Sequence, residues 1–339
     1  MKKIMPAIFL IVGSIIGAGF ASGRELSLFF AEFGYNSLYF LPIVFILFYY
    51  CFKLFLSIGA KQKFNNVFEI NNLSNSSPFF NASICIIFMV YASAMFAGSV
   101  EVLSNNFIGV PSVVFMVIVF LLAFLVNRFG FNGLVKVNFV LTPLIVILLL
   151  VYAVYSICVP ITTIPYIPES AGAYILPISI IVYVFGNIML SYFILAESGY
   201  GLTPKQIQKT AFGASLIVCF ALLICIICLI TNGTVVMDAS MPFLALTLRL
   251  GEPFPLIFTS ILFLGIITSL FGCLHTVSLP FQKKFGKNTT LFTTTLVLLF
   301  SLIGFQNIVN YGYPIIGLFG IIIVVKILFA STAKSKKLT

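Results

Sequence analysis

Between positions 13 and 23 the chain sets four glycines, Gly13, Gly17, Gly19 and Gly23, and two hydroxyls, Ser14 and Ser22, inside an otherwise apolar run. Two readings are open. The first is close helix packing of the small-xxx-small type, which Gly13/Gly17 and Gly19/Gly23 both satisfy. The second is an unwound break in mid-membrane, whose freed carbonyls can coordinate a cation and whose half-helix can hold an anionic group such as a carboxylate. Far along the chain, Gly265, Thr268 and Ser269 place adjacent hydroxyls in another apolar run, followed by His275, Thr276 and Ser278. Such hydroxyls either bond back to the preceding turn or act as hard oxygen ligands for a small cation such as sodium. Arg24 and Glu25 follow the glycines directly. Neighbours on a helix point about 100° apart, so each needs its own partner or water, and Glu25 is a candidate for proton or cation coupling. Further polar candidates within apolar runs are Tyr91, Ser93, Tyr183, Asn187, Asn310 and Tyr311. His275 is the only histidine, which excludes histidine-based metal sites and triads, and packing is its preferred reading over proton relay.

These residues need elements to hold them, and composition says what kind. Of 339 residues, 61% are hydrophobic and 8% charged, with a mean hydropathy of +1.19, a balance that fits lipid rather than water as solvent. The net charge of +10 sits in short clusters between apolar runs, so it reads as a topology signal and not as a nucleic-acid surface. No Walker, nucleophile-elbow, zincin or dinucleotide fingerprint occurs, which argues against an enzyme or an ATP-driven pump. The seven cysteines lie almost wholly in apolar runs and are expected to be free thiols, Cys225 and Cys228 included. The start of the chain, MKK before an apolar run and Gly19-Phe20-Ala21, has the look of a secretory signal. It is read as a retained span because it continues through Arg24 and Glu25 into a second apolar half.

Apolar runs separated by turn and charge signals predict ten helices, near 5 to 31, 37 to 59, 80 to 104, 110 to 128, 134 to 158, 174 to 197, 208 to 231, 254 to 280, 289 to 305 and 308 to 330. Breakers mark the linkers Asn71 to Pro78, Pro160 to Pro168, Asn232 to Gly233 and Gly251 to Pro255. With ten alternating spans, sixteen of the eighteen basic residues fall on one side, Arg24 and Arg249 excepted. The other side holds Glu32, Glu101, Glu169, Asp238 and Glu252. The positive-inside rule then predicts a multi-pass cell-membrane protein with both termini cytoplasmic.

Sliding the chain by 165 residues lays SIIGAGFASGRELSLFFAEFGY, 14 to 35, over SIIVYVFGNIMLSYFILAESGY, 179 to 200, with eight of 22 positions identical. Roughly two would match by chance. The match pairs the first span with the sixth, and five intervening helices invert the second copy. The predicted organisation is one transporter domain over 1–339, with a first five-helix repeat at 1–165 and an inverted one at 166–339. Phe185-Gly186-Asn187 falls opposite the glycine cluster, which predicts a break in the sixth helix as well as the first.

Gly17-Ala-Gly-Phe-Ala-Ser-Gly-Arg-Glu25, with Phe29-Phe30 and Gly34, resembles the first helix of the YkvI-like bacterial membrane proteins, a branch of the amino acid-polyamine-organocation superfamily. The resemblance implies an all-α LeuT-like fold of five plus five helices with helices 1 and 6 discontinuous. It also implies a sodium-type site on the carbonyls of Gly13, Ile16 and Gly265 and the hydroxyls of Thr268 and Ser269. Substrate is implied against Gly17, Ala18, Gly19, Phe20, Ala21 and Ser22, and against Phe185, Gly186 and Asn187, with Tyr91 nearby. Phe20 stands where some relatives carry an asparagine of a second cation site, which speaks against two-ion coupling. The expected function is a cation-coupled secondary transporter of a small zwitterionic solute, such as an amino acid, working by alternating access with Na+ or H+ and without another cofactor. A transporter-fold sensor that binds an amino acid without moving it, and a passive channel, are the competing classes.

Overall fold

The computed structural model describes residues 3–107, 109–160, 166, 175–233, 236, 239, 241–250, 254–302 and 305–335. Expectations about Lys2, Glu169, Asp238, Glu252, Lys336, Lys337 and most of the linkers 160–168 and 251–255 lie outside these residues. So do those about the side chains of Ala18, Arg249, Asn310, Tyr311 and Lys334. Every regular element among the described residues is helical. In chain order they are α1 (Ile4–Ile15), α2 (Ala18–Ser22), α3 (Arg24–Phe29), a 3₁₀ stretch (Ala31–Phe40), α4 (Leu41–Lys61), α5 (Val67–Asn72), α6 (Pro78–Asn106), α7 (Ser112–Arg128) and α8 (Gly130–Cys158). There follow α9 (Leu176–Gly199), α10 (Pro204–Thr231), α11 (Pro242–Leu250), α12 (Phe254–Phe285), a 3₁₀ turn (Gly286–Asn288), α13 (Thr289–Ser301) and α14 (Phe305–Ser335). Six helical stretches are long and apolar enough to cross a membrane, and Ile4–Ile15, Ser112–Arg128 and Ile315–Ala330 are shorter apolar helices. The expected linkers 71–78 and 251–255 are flanked by two short helices that sequence periodicity did not single out, α5 and α11.

The first span is interrupted twice. Ile16 (φ −81°, ψ 66°) and Gly17 (φ −97°, ψ −155°) leave the helical region, ending α1, and Gly23 takes the left-handed conformation (φ 81°, ψ −4°) between α2 and α3. A left-handed residue with a Cβ costs roughly 1–2 kcal/mol, so Gly23 is where a glycine is needed. A Cβ there would also press on the Phe243 ring at 3.0 Å.

The sixth span is not interrupted. α9 runs unbroken from Leu176 to Gly199, which corrects the expectation of a discontinuous helix 6. At the 165-residue offset the left-handed position Gly23 falls on Ile188, a β-branched residue that disfavours that region. Asn187 donates within the helix, Nδ2 to the Tyr183 carbonyl at 3.1 Å, so its amide does not open the helix. Gly186 serves packing instead. A Cβ on it would meet Gly317 Cα at 3.4 Å, and a Cβ on Gly320 would collide with the Phe185 carbonyl.

The same device joins α9 to α4, where Gly59 lies against the Ala196 backbone and Gly199 against the Leu56 backbone. α9 is thereby held between α4 and α14, and Ser179 Oγ donates to the Phe29 carbonyl of α3 at 3.2 Å. The cysteines are free, as expected, with Cys158 exposed at the end of α8. Because the backbones of α4 and α9 touch, Gly59→Ala should lower the thermal midpoint in detergent by several degrees more than Gly286→Ala. Gly286 has a positive φ of 52° but open space around it, so it controls for backbone conformation alone. Equal midpoints would refute the close crossing.

Candidate transport site

The end of α1 faces α12, α8 and α9 around a cavity of about 10 Å³, space for one water and no more. Its walls are Leu10 and Ser14 from α1, Tyr91 from α6, Leu134 and Asn138 from α8, Leu190 and Ile194 from α9, and Thr268, Ser269, Gly272 and Cys273 from α12. Thr268, Ser269, Tyr91, Asn138 and Cys273 are all buried. Four helices far apart in sequence thus bring hydroxyls, an amide and a helix terminus to one buried point.

Of the residues named for a sodium-type site, Gly265, Thr268 and Ser269 are joined by hydrogen bonds. Thr268 Oγ1 donates to the Gly265 carbonyl at 2.9 Å and Ser269 Oγ to the same oxygen at 3.3 Å. A hydroxyl whose proton is used this way keeps its lone pairs, so both oxygens can still face a cation. A methyl group on Gly17 would run into Ser269 Oγ, and a Cβ on Gly265 would come within 3.2 Å of Ala21 Cβ and 3.8 Å of the Gly17 carbonyl oxygen. α2 and α12 are therefore in van der Waals contact at the break. The last carbonyls of any helix lack intrahelical partners, and in α1 that end points at this contact.

Two residues missed by the sequence reading belong here. A Cβ on Gly13 would collide with Asn138 Oδ1 and Thr142 Oγ1, so α8 reaches the break as directly as α12 does. Thr142 Oγ1 donates to Asn138 Oδ1 at 3.2 Å, and Asn138 Nδ2 donates to the Leu134 carbonyl at 3.0 Å. Asn138 and Thr142 are four apart on one helix face, the available signal, but their run carries no glycine to mark a site.

Other named residues are placed differently. The α9 wall of the cavity is Leu190 and Ile194, while Phe185 and Gly186 pack on α14. Phe20 is fully buried, and Ser22 Oγ donates to the Gly19 carbonyl at 3.1 Å and accepts from the Arg24 amide at 3.3 Å, bracing the α2–α3 kink. Glu25 is buried, its charge within electrostatic reach of the Tyr183 hydroxyl. Tyr183 in turn packs against Phe29, Phe30 and Phe48.

The two sides of the break differ. On the side of α2, α11 lies over the break: Phe243 stacks among Tyr152 and Phe258, and Tyr152 OH donates to the Phe243 carbonyl at 3.1 Å. On the opposite side Lys3 and Lys63 line a cavity of about 540 Å³, and Arg128 and Lys287 line another of about 350 Å³. Basic residues from four distant parts of the chain so gather at one end of the bundle, termed the basic end below. His275 also departs from the packing role expected for it: its Nε2 is 2.8 Å from Glu197 Oε2.

The overall arrangement is that of known membrane transporters. The structure is similar to that of a Na+-coupled sialic acid symporter, with a TM-score of 0.59 at 13% identity over 96% of this chain and 78% of that one. It is likewise similar to a mutant of the manganese transporter of Eremococcus coleocola, with a TM-score of 0.57 at 13% identity over 97% of this chain and 76% of that one. At such identity the likeness establishes the fold. Comparison with family models and with curated protein sequences finds no match.

The Gly17–Ser269 contact can be measured. Gly17→Ala should destabilise the detergent-solubilised protein, and Ser269→Ala should relieve part of the loss, giving a coupling of about 1 kcal/mol in a double-mutant cycle of thermal or denaturant unfolding. Additive effects would show that the two helices do not meet there.

Proposed function

We propose that the chain is a cation-coupled secondary transporter of a small solute, working by alternating access. The observation that carries this reading is the interrupted first helix abutting the Thr268–Ser269 hydroxyl pair in a closed, buried cavity. Non-helical backbone at membrane depth persists only where protein encloses it, and in transporters it supplies the ligands. The fold shared with a Na+-coupled symporter is consistent with this.

In this reading α1 to α3 form one interrupted span, and α4, α6, α7, α8, α9, α10, α12, α13 and α14 complete ten. The halves 1–165 and 166–339 are inverted repeats of a LeuT-like plan. The basic end is cytoplasmic, with both termini there, by the positive-inside rule. The coupling ion is sodium, held by the hydroxyls of Thr268 and Ser269 with carbonyls of Gly13, Ile16 and Gly265. These are hard, neutral oxygens, and no group of three or more His, Cys, Asp or Glu side chains suited to a metal ion occurs among the described residues. The solute is zwitterionic, an amino acid being the leading class. The junction between Ile16 and Gly17 offers the Ile16 C=O to an ammonium and the Gly17 N–H to a carboxylate, the Ile16 N–H and Gly17 C=O being bonded to Val12 and Ala21, with Ala18 to Ser22 and Tyr91 around it. The likeness of the first helix to the YkvI-like proteins supports the same class.

The experiment is uptake of a labelled amino-acid panel into proteoliposomes under separately imposed sodium and proton gradients. Accumulation against a gradient excludes both the sensor and the channel. The pair Thr268→Ala and Ser269→Ala should abolish sodium stimulation while leaving the protein folded. Sodium stimulation that survives both substitutions removes the cation assignment.

A further inference from the structure

Between the buried cavity and the basic end the passage is blocked by very little. Leu10 of α1 lines both the cavity of about 10 Å³ and the one of about 540 Å³ and stands between them. Leu134 and Ile194 stand beside it, and a Cβ on Gly272 would lie 2.9 Å from Ile194 Cδ1. One helical turn further towards the basic end, Ile194 is followed by Glu197 and Gly272 by His275, on the same helix faces. There the two side chains meet at 2.8 Å, with 6% and 13% of their side-chain surfaces exposed. The imidazole lies near Phe131 of α8 and Phe193 of α9, ring centroids 5.9 and 6.2 Å away. Glu197 borders the 540 Å³ cavity and His275 the 350 Å³ cavity, so the pair stands as a partition between two water-sized spaces.

We propose that His275 and Glu197 form a proton-binding latch that holds α9 to α12 and keeps the route to the basic end shut. With Glu197 ionised, the neutral ring keeps the contact as the Nε2–H tautomer donating to the carboxylate. A proton taken from water at Nδ1 converts it to an imidazolium–carboxylate pair, a charge-assisted bond roughly twice as strong. No other bond changes in this step. The doubly ionised pair is net neutral and tolerates its aromatic surroundings, whereas a lone buried carboxylate does not. Loss of that proton therefore favours separation of α9 and α12 and entry of water from both cavities. Other charged or titratable groups face the pair: Arg128 from α7, Lys287 from the 3₁₀ turn, Lys3 from before α1, Lys63 from the segment after α4, and Tyr200 from the end of α9. Of these side-chain types together with His275, only imidazole ordinarily changes charge between about pH 5 and 8.

The latch rests on the transporter reading only in treating the cavities as one passage, and its test needs no solute. Cys273 lines the buried cavity behind the block and is a native thiol. Its modification by a charged, water-soluble thiol reagent, read by peptide mass spectrometry, reports opening. Dividing the rate in denaturant by the rate in native protein at each pH removes the thiol's own pH response. We expect this protection to fall about tenfold between about pH 5.5 and 8 in the parent protein. In His275→Gln, which keeps a donor but cannot titrate, and in Glu197→Gln, protection should be low and independent of pH. A parent with flat protection, or either variant with the parent's pH response, overturns the latch. Both results leave the sodium-stimulated uptake test untouched, so the two readings fail separately.

Discussion

A polypeptide in lipid must satisfy its backbone from within, and much of this structure follows from the end of α1, where it does not. Where α1 ends at Ile16 its last carbonyls lose their helical partners, the Gly17 carbonyl pairing again with the Ala21 amide at 2.8 Å, and each unsatisfied group in hydrocarbon costs several kcal/mol. Such a break survives only if other elements wrap it. α12 comes within contact of it through Gly265 and Ser269, α8 through Asn138 and Thr142, and α11 roofs it with Phe243. The polar residues that enclose the break are the same ones that can hold an ion, so burial and function make one demand on the sequence.

The unbroken α9 complements the broken α1. Gly59, Gly199, Gly186, Gly317 and Gly320 let three helix backbones touch, and with no hydrophobic driving force between helices in lipid, such contact is what binds them. A helix gripped on two sides moves as a rigid rod. Polar ties join it near its ends to the first repeat's opening segment and to α12, Ser179 to Phe29 and Glu197 to His275. Relative motion of α9 against α12 would thus be governed at the basic end, where the apolar block of Leu10, Leu134 and Ile194 is one layer thick.

A large part of this was legible in the residues alone. Composition dictated lipid as solvent, the lengths of apolar runs marked helical spans, and Gly17 and Gly23 marked the break. The repeat even contained a reason α9 has no left-handed kink, since Ile188 occupies the position of Gly23. The expectation of a second break went astray by weighing Gly186, a nearby glycine, over the residues in register.

Sequence by itself determined the solvent, the helical class and the stretch of the first helix able to yield, because these depend on local hydropathy and on the φ each residue tolerates. Only the tertiary structure decided which side chains share the cavity: Ser14, Tyr91, Asn138 and Ser269 come from four helices. It also paired His275 with Glu197, 78 positions apart. Periodicity says which face of a helix is polar, but not which other helix that face will meet, and in lipid that choice is made by close packing between backbones.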